Sequence, residues 1–221
     1  MDVFFTSNID LAIQGLDVKA KQVRYAAAVA LTWSVGDAHK AMPSRLESVL
    51  DRPTAWTKNG LFVKRAEPSN LTARLAWKPS QAEYMKYQIE GGTRTPKRLA
   101  LKLPAAVQLD GSGNIPRALL RQLIARAKSN KRATGSMARR YGVSSKLDLF
   151  YGDPADGRPA GLYKRVVNGT RQSLVPIVLF PKRAAVYQRR FDFYGEARRV
   201  VRASWQRNFS KAWAQAKATA R

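Results

Sequence analysis

The chain has 221 residues, of which 40 are Lys or Arg and 15 are Asp or Glu, giving a formal net charge of +25. Hydrophobic residues make up 45% of the chain and aromatic residues 10%, which supports a folded core and excludes a disordered basic protein. Cysteine is absent and histidine occurs once, which excludes disulfide and thiol chemistry and argues against a histidine-based metal site.

A helical pattern opens the chain. Asn8 can cap a helix, and apolar residues follow it at 3.6-residue spacing until Pro43, which predicts an N-terminal helix within residues 1–43. About 33 residues at ~1.5 Å each give a helix of roughly 50 Å. We therefore expect this helix to protrude or to pack against a neighbouring subunit. Residues 44–50 predict a separate short helix.

The N-terminal sequence has neither the basic region nor the apolar region of a signal peptide. The chain also contains no apolar run of the roughly 18 residues that a membrane-spanning helix needs. We expect no membrane association.

A hairpin and a second helix come next. Alternating apolar residues at 61–66 and 71–77 flank a turn and predict two antiparallel strands. Ser80 and Glu83 have the spacing of a capping box at the start of the following helix. Gly91, followed by a second glycine, predicts the end of that helix.

The next segment, residues 94–146, has 13 basic residues and one acidic residue, whereas residues 1–93 have 12 and 9. It contains a strand pattern at 99–103 and a helix that starts at Pro116 and ends near Ser129. Two basic loops in this insertion predict contact with DNA phosphates or with an acidic protein surface, rather than a merely solvated face. The anion-facing residues predicted there are Arg94, Lys97, Arg98, Lys128, Lys131, Arg132, Arg139 and Arg140.

The last third of the chain predicts three strands and a terminal helix. Residues 146–151, 161–167 and 174–180 are separated by turn residues and predict an antiparallel meander. Residues 190–219 predict an amphipathic C-terminal helix, and residues 182–221 contain 11 basic and 2 acidic residues. The large aromatic residues of its apolar stripe predict docking, on the chain's own sheet or on another subunit: Trp205, Phe209 and Trp213.

These elements predict an α+β fold in a single domain of residues 1–221, with a long N-terminal helix, an antiparallel β-sheet, a basic loop insertion and an amphipathic C-terminal helix. The sequence offers few groups for catalysis. His39 has no acid or nucleophile pattern around it, and Asp153 and Asp156 fit turn positions better than a metal-binding loop. We expect a protein that is not an enzyme and that uses no cofactor or metal.

Three runs in this order resemble a known family: YMKYQIEGGTRTPKR at 84–98, GLYKRV at 161–166 and LVPIVLFPKRAAVYQRRFDF at 174–193. The layout is similar to that of bacteriophage minor tail protein Z and its tail-completion or neck relatives. The resemblance implies a structural virion protein at the head–tail junction or tail, assembled in the bacterial cytoplasm as a homo-oligomeric ring around the DNA channel.

The partners that the resemblance implies are further copies of the chain, portal, adaptor or tail-tube proteins, and packaged double-stranded DNA. The alternative that the composition leaves open is a basic nucleic-acid-binding protein that acts free of a virion.

Overall fold

The computed structural model describes residues 1–8, 20–95, 102–129, 148–154, 156–168 and 171–219. The chain divides into two compact units: unit 1 is Met1–Gly92 with Val186–Arg221, and unit 2 is Thr93–Ala185. The α+β prediction is confirmed. The sequence predicted one domain of residues 1–221 and not two units. Unit 2 begins at Thr93, one residue before the basic insertion predicted at 94–146.

The described elements, in chain order, are β1 (Asp2–Thr6), α1 (Ala20–Val49), α2 (Ala55–Lys58), β2 (Leu61–Lys64), β3 (Thr72–Trp77), α3 (Pro79–Ile89), β4 (Gly92–Arg94), β5 (Leu103–Pro104), α4 (Arg117–Ser129), β6 (Leu149–Gly152), β7 (Gly161–Asn168), β8 (Arg171–Leu179), β9 (Ala185–Tyr187) and α5 (Phe193–Ala218).

Unit 1 is built around helix α1. A three-stranded antiparallel sheet in the order β1-β3-β2 contacts α1, and so does the long helix α5. Buried side chains follow α1 from Ala26 to Leu46, because the helix has neighbours on more than one side. The expectation that this helix protrudes is therefore wrong for its described part, and packing against a neighbouring subunit stays a prediction.

Pro43 lies inside α1 and does not end it. A proline within a helix loses one backbone hydrogen bond and crowds the preceding turn, which costs roughly 3 kcal/mol. Met42 and Leu46 are both fully buried in the core of unit 1, and burial of such side chains stabilises by about 1.5–3 kcal/mol each. That burial offsets the cost of Pro43. The helix end predicted at residue 43 and the separate helix at 44–50 are wrong, since one helix runs to Val49.

Residues 2–6 form strand β1 and not part of the N-terminal helix predicted within residues 1–43. The segment DVFFT is rich in β-branched and aromatic residues, which favour strands. Val3 is buried opposite Leu75 of β3, while Phe4 points to the other face of the sheet and is 61% exposed. Residues 9–19 of the predicted helix lie outside the described residues.

The predicted hairpin is confirmed, with Leu61 of β2 opposite Trp77 of β3. The capping box predicted for the next helix is wrong. Lys78 is the N-cap of α3, and its side chain has no acceptor that could cap the helix. Ser80 lies inside the helix, after Pro79 in the first turn. The helix ends as predicted at Gly91, whose φ of 76° lies in the left-handed region that glycine favours.

Unit 2 has a four-stranded antiparallel sheet in the order β5-β8-β7-β6, with α4 packed on it. The predicted meander is confirmed: Phe150 pairs with Tyr163, and Arg165 pairs with Leu174. Helix α4 is confirmed as well. Of the strand predicted at 99–103, residues 99–101 lie outside the described residues and Leu103 begins β5. The core of unit 2 consists of Val107, Leu120, Leu123, Leu149, Leu162, Ile177 and Val178.

Candidate polyanion-binding surface

Helix α4 places positive charge on the side that faces away from the core of unit 2. At the start of the helix, the Leu120 N–H donates a backbone hydrogen bond of 3.0 Å to the Pro116 carbonyl oxygen. Leu120 and Leu123 belong to the buried core of unit 2. The helix sequence RALLRQLIARAKS has four basic residues and no acidic residue. Three of the four are exposed: Arg117, Arg121 and Lys128.

These three cations share one strip of the helix surface. At 3.6 residues per turn, positions 117, 121 and 128 lie within about 40° of one another around the axis and span about 16 Å along it. Like charges on one helix face repel each other. An anionic ligand that lies along the strip relieves this repulsion, and a polyanion does so at several positions at once.

An exposed tyrosine extends the strip at its carboxyl-terminal end. Lys128 Nζ lies 5.0 Å from the centroid of the Tyr151 ring, and Tyr151 is 40% exposed. The Tyr151 ring also contacts Phe180, with 5.9 Å between ring centroids. An aromatic ring beside cations is typical of surfaces that combine base stacking with phosphate contact. We call Arg117, Arg121, Lys128 and Tyr151 the α4 surface.

The only acidic residue between positions 94 and 146 is Asp110, and its carboxylate serves a turn. Asp110 Oδ1 accepts hydrogen bonds from the backbone N–H groups of Ser112 at 2.9 Å and Asn114 at 2.8 Å. Hydrogen bonding of this kind within a turn is a usual role for Asp. Asp110 forms no ion pair with the α4 surface among the described residues, so the charge of that surface is not compensated from within its own segment.

Arg158 is a basic residue of unit 2 that is already paired. It forms an ion pair with Asp156 and donates a hydrogen bond of 2.7 Å to the Leu174 carbonyl oxygen. The hydrogen bond from Arg158 lowers the pKa of Asp156 below its ordinary value. Burial raises the pKa of Tyr163, whose ring lies 5.2 Å from the Arg158 guanidinium. Arg158 therefore connects its loop to strand β8, and its charge is paired with that of Asp156.

Two of the eight basic residues predicted to face an anion are described. Lys128 belongs to the α4 surface, whereas Arg94 is half-buried in β4 and has a contact of its own. Sequence analysis did not single out Arg117 and Arg121. The sequence does contain a signal for these two arginines, since they lie four residues apart in a predicted helix that has no acidic residue. The other predicted residues lie outside the described residues: Lys97, Arg98, Lys131, Arg132, Arg139 and Arg140.

The three aromatic residues predicted to dock the C-terminal helix are half-buried beside α1, a helix of the same chain. Docking within the chain thus takes place on α1 as well as on the core beside the sheet, to which Trp205 and Phe209 also contribute, and docking on another subunit stays a prediction. Trp205 and Phe209 stack on each other with 5.7 Å between ring centroids, and Trp213 belongs to the same cluster. Fully buried alanines form the centre of the contact: Ala26, Ala30, Ala212 and Ala216. These small side chains let the helices approach, so the large rings border the contact.

A polar contact fixes the register of α1 against α5. Asn208 Nδ2 donates hydrogen bonds to Ser34 Oγ at 3.0 Å and to Asp37 Oδ2 at 2.9 Å. Arg207 forms a 3.1 Å ion pair with the same carboxylate. Asn208 and Ser34 are both buried, and buried polar groups favour the one alignment that satisfies them.

His39 connects two elements of unit 1. It is half-buried in α1, and its Nε2 lies 3.2 Å from the Leu61 carbonyl oxygen, to which it donates a hydrogen bond. The described part of the chain contains no group of three or more His, Cys, Asp or Glu side chains arranged to hold a metal ion. None of the helices described is both long enough and apolar enough to cross a membrane.

Comparison of the chain with protein-family models, with curated proteins and with solved structures found no match.

Proposed function

We propose that this protein is a structural protein of a bacteriophage virion, placed at the head–tail junction or in the tail. Copies of the chain form a ring around the DNA channel, next to portal, adaptor or tail-tube proteins. Unit 2 contacts the packaged double-stranded DNA through its phosphates, without reading sequence. The order of the tail-protein-like runs along the chain supports the virion setting.

The observation that carries the DNA contact is the α4 surface. Three exposed cations lie along one face of a helix that contains no acid. Phosphate contacts by Lys and Arg depend on charge and not on base sequence, and a channel protein that meets passing DNA requires that property. Two roles follow for the units: unit 1 supplies a rigid core of long helices, and unit 2 supplies the cationic surface.

Binding of duplex DNA by the purified chain tests the contact. The triple variant Arg117→Gln, Arg121→Gln, Lys128→Gln should bind duplex DNA at least about tenfold more weakly near 0.1 M salt, and the slope of log K against log salt should fall by about 3. Fluorescence anisotropy over a salt series measures both quantities.

A matched control removes three exposed cations from unit 1: Lys21→Gln, Lys40→Gln, Arg65→Gln. It lowers the net charge equally and should keep most of the affinity. Equal losses in the two triple variants would contradict a specific role for the α4 surface.

The virion setting has a separate test. Mass spectrometry of purified particles from the bacterium that produces the chain should recover the protein together with portal and tail proteins. Its absence from particles would overturn the virion setting and leave the alternative, a basic nucleic-acid-binding protein that acts free of a virion. The pairing of Lys128 with exposed Tyr151 is the observation that favours this alternative, because it suits single strands with accessible bases. Preference for single-stranded over duplex DNA by the isolated chain would support it.

A further inference from the structure

A groove in unit 1 runs beside the edge strand β1. It has a volume of about 560 Å³, and one side of it is formed by residues 4–8, which include the end of β1. In the described part of the chain, β1 pairs with β3 alone. An edge strand directs about half of its backbone N–H and C=O groups away from its partner. The backbone groups on the outer edge of β1 therefore lie in residues that also line the groove.

The floor of the groove is apolar. It is formed by Leu31 of α1 and by Val201 and Trp205 of α5. Leu31 and Val201 are buried, and Trp205 is half-buried. A strand added beside β1 would turn every second side chain toward this floor, so its inward positions would be apolar.

Two arginines of α5, Arg198 and Arg202, also line the groove. Both are exposed, and neither forms an ion pair or hydrogen bond with another described residue. The neighbouring acid, Glu196, is already engaged by Arg45 at 3.3 Å and by Arg199 at 2.5 Å. Within the described residues, the charges of Arg198 and Arg202 are therefore uncompensated and can attract an anionic occupant of the groove.

The spacing of these arginines suits an extended chain. Residues four apart in a helix are separated by about 6 Å along its axis. Side chains on one face of a strand repeat every ~6.6 Å. Carboxylates at alternate positions of an extended segment can therefore reach both guanidinium groups, which bind carboxylates well.

We propose that this groove binds an extended acidic segment of a partner protein, which adds to the sheet as a strand beside β1. Its inward side chains are apolar, and its acidic side chains pair with Arg198 and Arg202. Addition of a strand to a free sheet edge is an established mode of peptide recognition. The proposal depends neither on DNA contact by unit 2 nor on a ring.

The occupant is a different protein and not a second copy of this chain. Among the described strands, the only acidic residue is Asp2 of β1, which is paired with Arg74. A second copy therefore has no described strand that could supply two acids, and it would bring a further net charge of +25.

The probe is a fluorescein-labelled octapeptide of alternating Glu and Val, tested by anisotropy with the full chain at 0.15 M salt. The variant Arg198→Gln, Arg202→Gln should bind it about fivefold more weakly, since two partly exposed charge pairs are lost. The matched control, Lys211→Gln, Lys217→Gln, removes two exposed cations from the same helix outside the groove and should change the affinity less than about twofold. Failure of the octapeptide to bind, or equal losses in the two variants, would overturn the proposal.

Backbone pairing is tested with two N-methylated forms of the octapeptide, one methylated at every Glu and the other at every Val. Each form blocks one edge of the peptide strand. A peptide that pairs with β1 should lose binding in one form and retain it in the other. Equal binding of both forms would overturn strand addition.

Two further outcomes identify other occupants. If the variant Arg198→Gln, Arg202→Gln weakens duplex DNA binding as strongly as the α4 triple variant does, the arginines serve phosphate and the proposal fails. If self-association of the chain, followed by sedimentation, is abolished by the same variant and the octapeptide does not compete, a second copy occupies the groove.

Discussion

Units 1 and 2 of this protein differ in how they use charge. In unit 1, acidic residues pair with many of the basic ones: Arg74 with Asp2, Lys58 with Glu47, Arg207 with Asp37, and Arg45 and Arg199 with Glu196. In unit 2, the acid nearest in sequence to α4, Asp110, serves a turn, and the α4 cations have no acid in their own helix. Unit 1 is thus suited to internal cohesion and unit 2 to contact with an anion.

The buried cores of the two units differ in size and in composition. Unit 1 joins two long helices and a sheet through a core that contains several buried aromatic residues, among them Phe191 and Phe193. In its described residues, unit 2 has one helix on its sheet and a smaller, mainly aliphatic buried core. Under the proposed function, the larger buried core and the DNA-binding surface lie in different units. Substitutions should therefore affect stability or DNA binding without the other.

The largest expected effect is on the core of unit 1. Phe193 is fully buried and lies 5.9 Å from Trp77, measured between ring centroids. Phe193→Ala should lower the free energy of unfolding by about 3–5 kcal/mol, because it removes apolar burial and leaves a cavity. All five tryptophans belong to unit 1, so urea unfolding followed by tryptophan fluorescence measures this loss directly.

The matched substitution in unit 2 is Leu123→Ala, at another fully buried position. It should cost about 2–5 kcal/mol in unit 2, detected by tyrosine fluorescence and circular dichroism, with the tryptophan midpoint unchanged. A shift of the tryptophan midpoint by Leu123→Ala would contradict the assignment of separate cores.

An intermediate effect is expected at the contact between α1 and α5. Asn208→Ala should cost about 1–3 kcal/mol, because the buried hydroxyl of Ser34 and the carboxylate of Asp37 lose a donor. Arg207→Ala should cost less than about 1 kcal/mol, because its side chain is 73% exposed. Urea midpoints of the two variants test this order. Equal costs in the two variants would contradict the role of Asn208 in fixing the alignment of α1 against α5.

The smallest effect concerns the pair of Asp2 with Arg74, which joins β1 to β3. Burial alone would raise the pKa of Asp2, but the hydrogen bond from Arg74 and the charges of the amino-terminal ammonium group and of Arg74 together outweigh burial and lower the pKa below the ordinary value of 3.8. A carboxylate with a lowered pKa in the folded state stabilises the fold above pH 3.8, and this contribution is lost as the pH falls through the folded-state pKa.

Asp2→Asn should therefore cost up to about 1 kcal/mol at pH 7 and nearly nothing at a pH below the folded-state pKa of Asp2. Unfolding in urea, measured by tryptophan fluorescence across this range, tests the expectation. Asp51→Asn is the control, because Asp51 is exposed and bonded to its chain neighbour Arg52. A cost for Asp2→Asn that does not change with pH would contradict the ion-pair explanation.

Several elements were predictable because local sequence decides them. The meander β6–β7–β8 has alternating apolar residues between turn residues, and α4 has an apolar period with Pro116 at its start. The end of α3 follows from Gly91, whose positive φ few other residues tolerate. In each case the side chains that define the element lie close together in sequence.

Local sequence gave wrong predictions where contacts with residues far away in the chain determine the secondary structure. Pro43 is a strong local signal for a helix end, but burial of Met42 and Leu46 in the core of unit 1 continues the helix. Strand β1 is only five residues long and is stabilised by pairing with β3, some seventy positions away. The α4 surface was only partly predictable. Its charge is visible in the sequence, whereas the position of Tyr151 beside Lys128 results from the packing of α4 on the sheet.

The sequence by itself determined the α+β class, the concentration of charge between residues 94 and 146, and the presence of a long terminal helix with an aromatic stripe. These follow from composition and periodicity, which fix what a segment can bury. Only the tertiary structure decided where that stripe docks, because the contact of Trp205 and Phe209 with α1 depends on alanines of α1 and α5 that are far apart in the sequence and pack together. It likewise decided which cations remain free, since pairing depends on acids far away in the chain, as with Arg74 and Asp2.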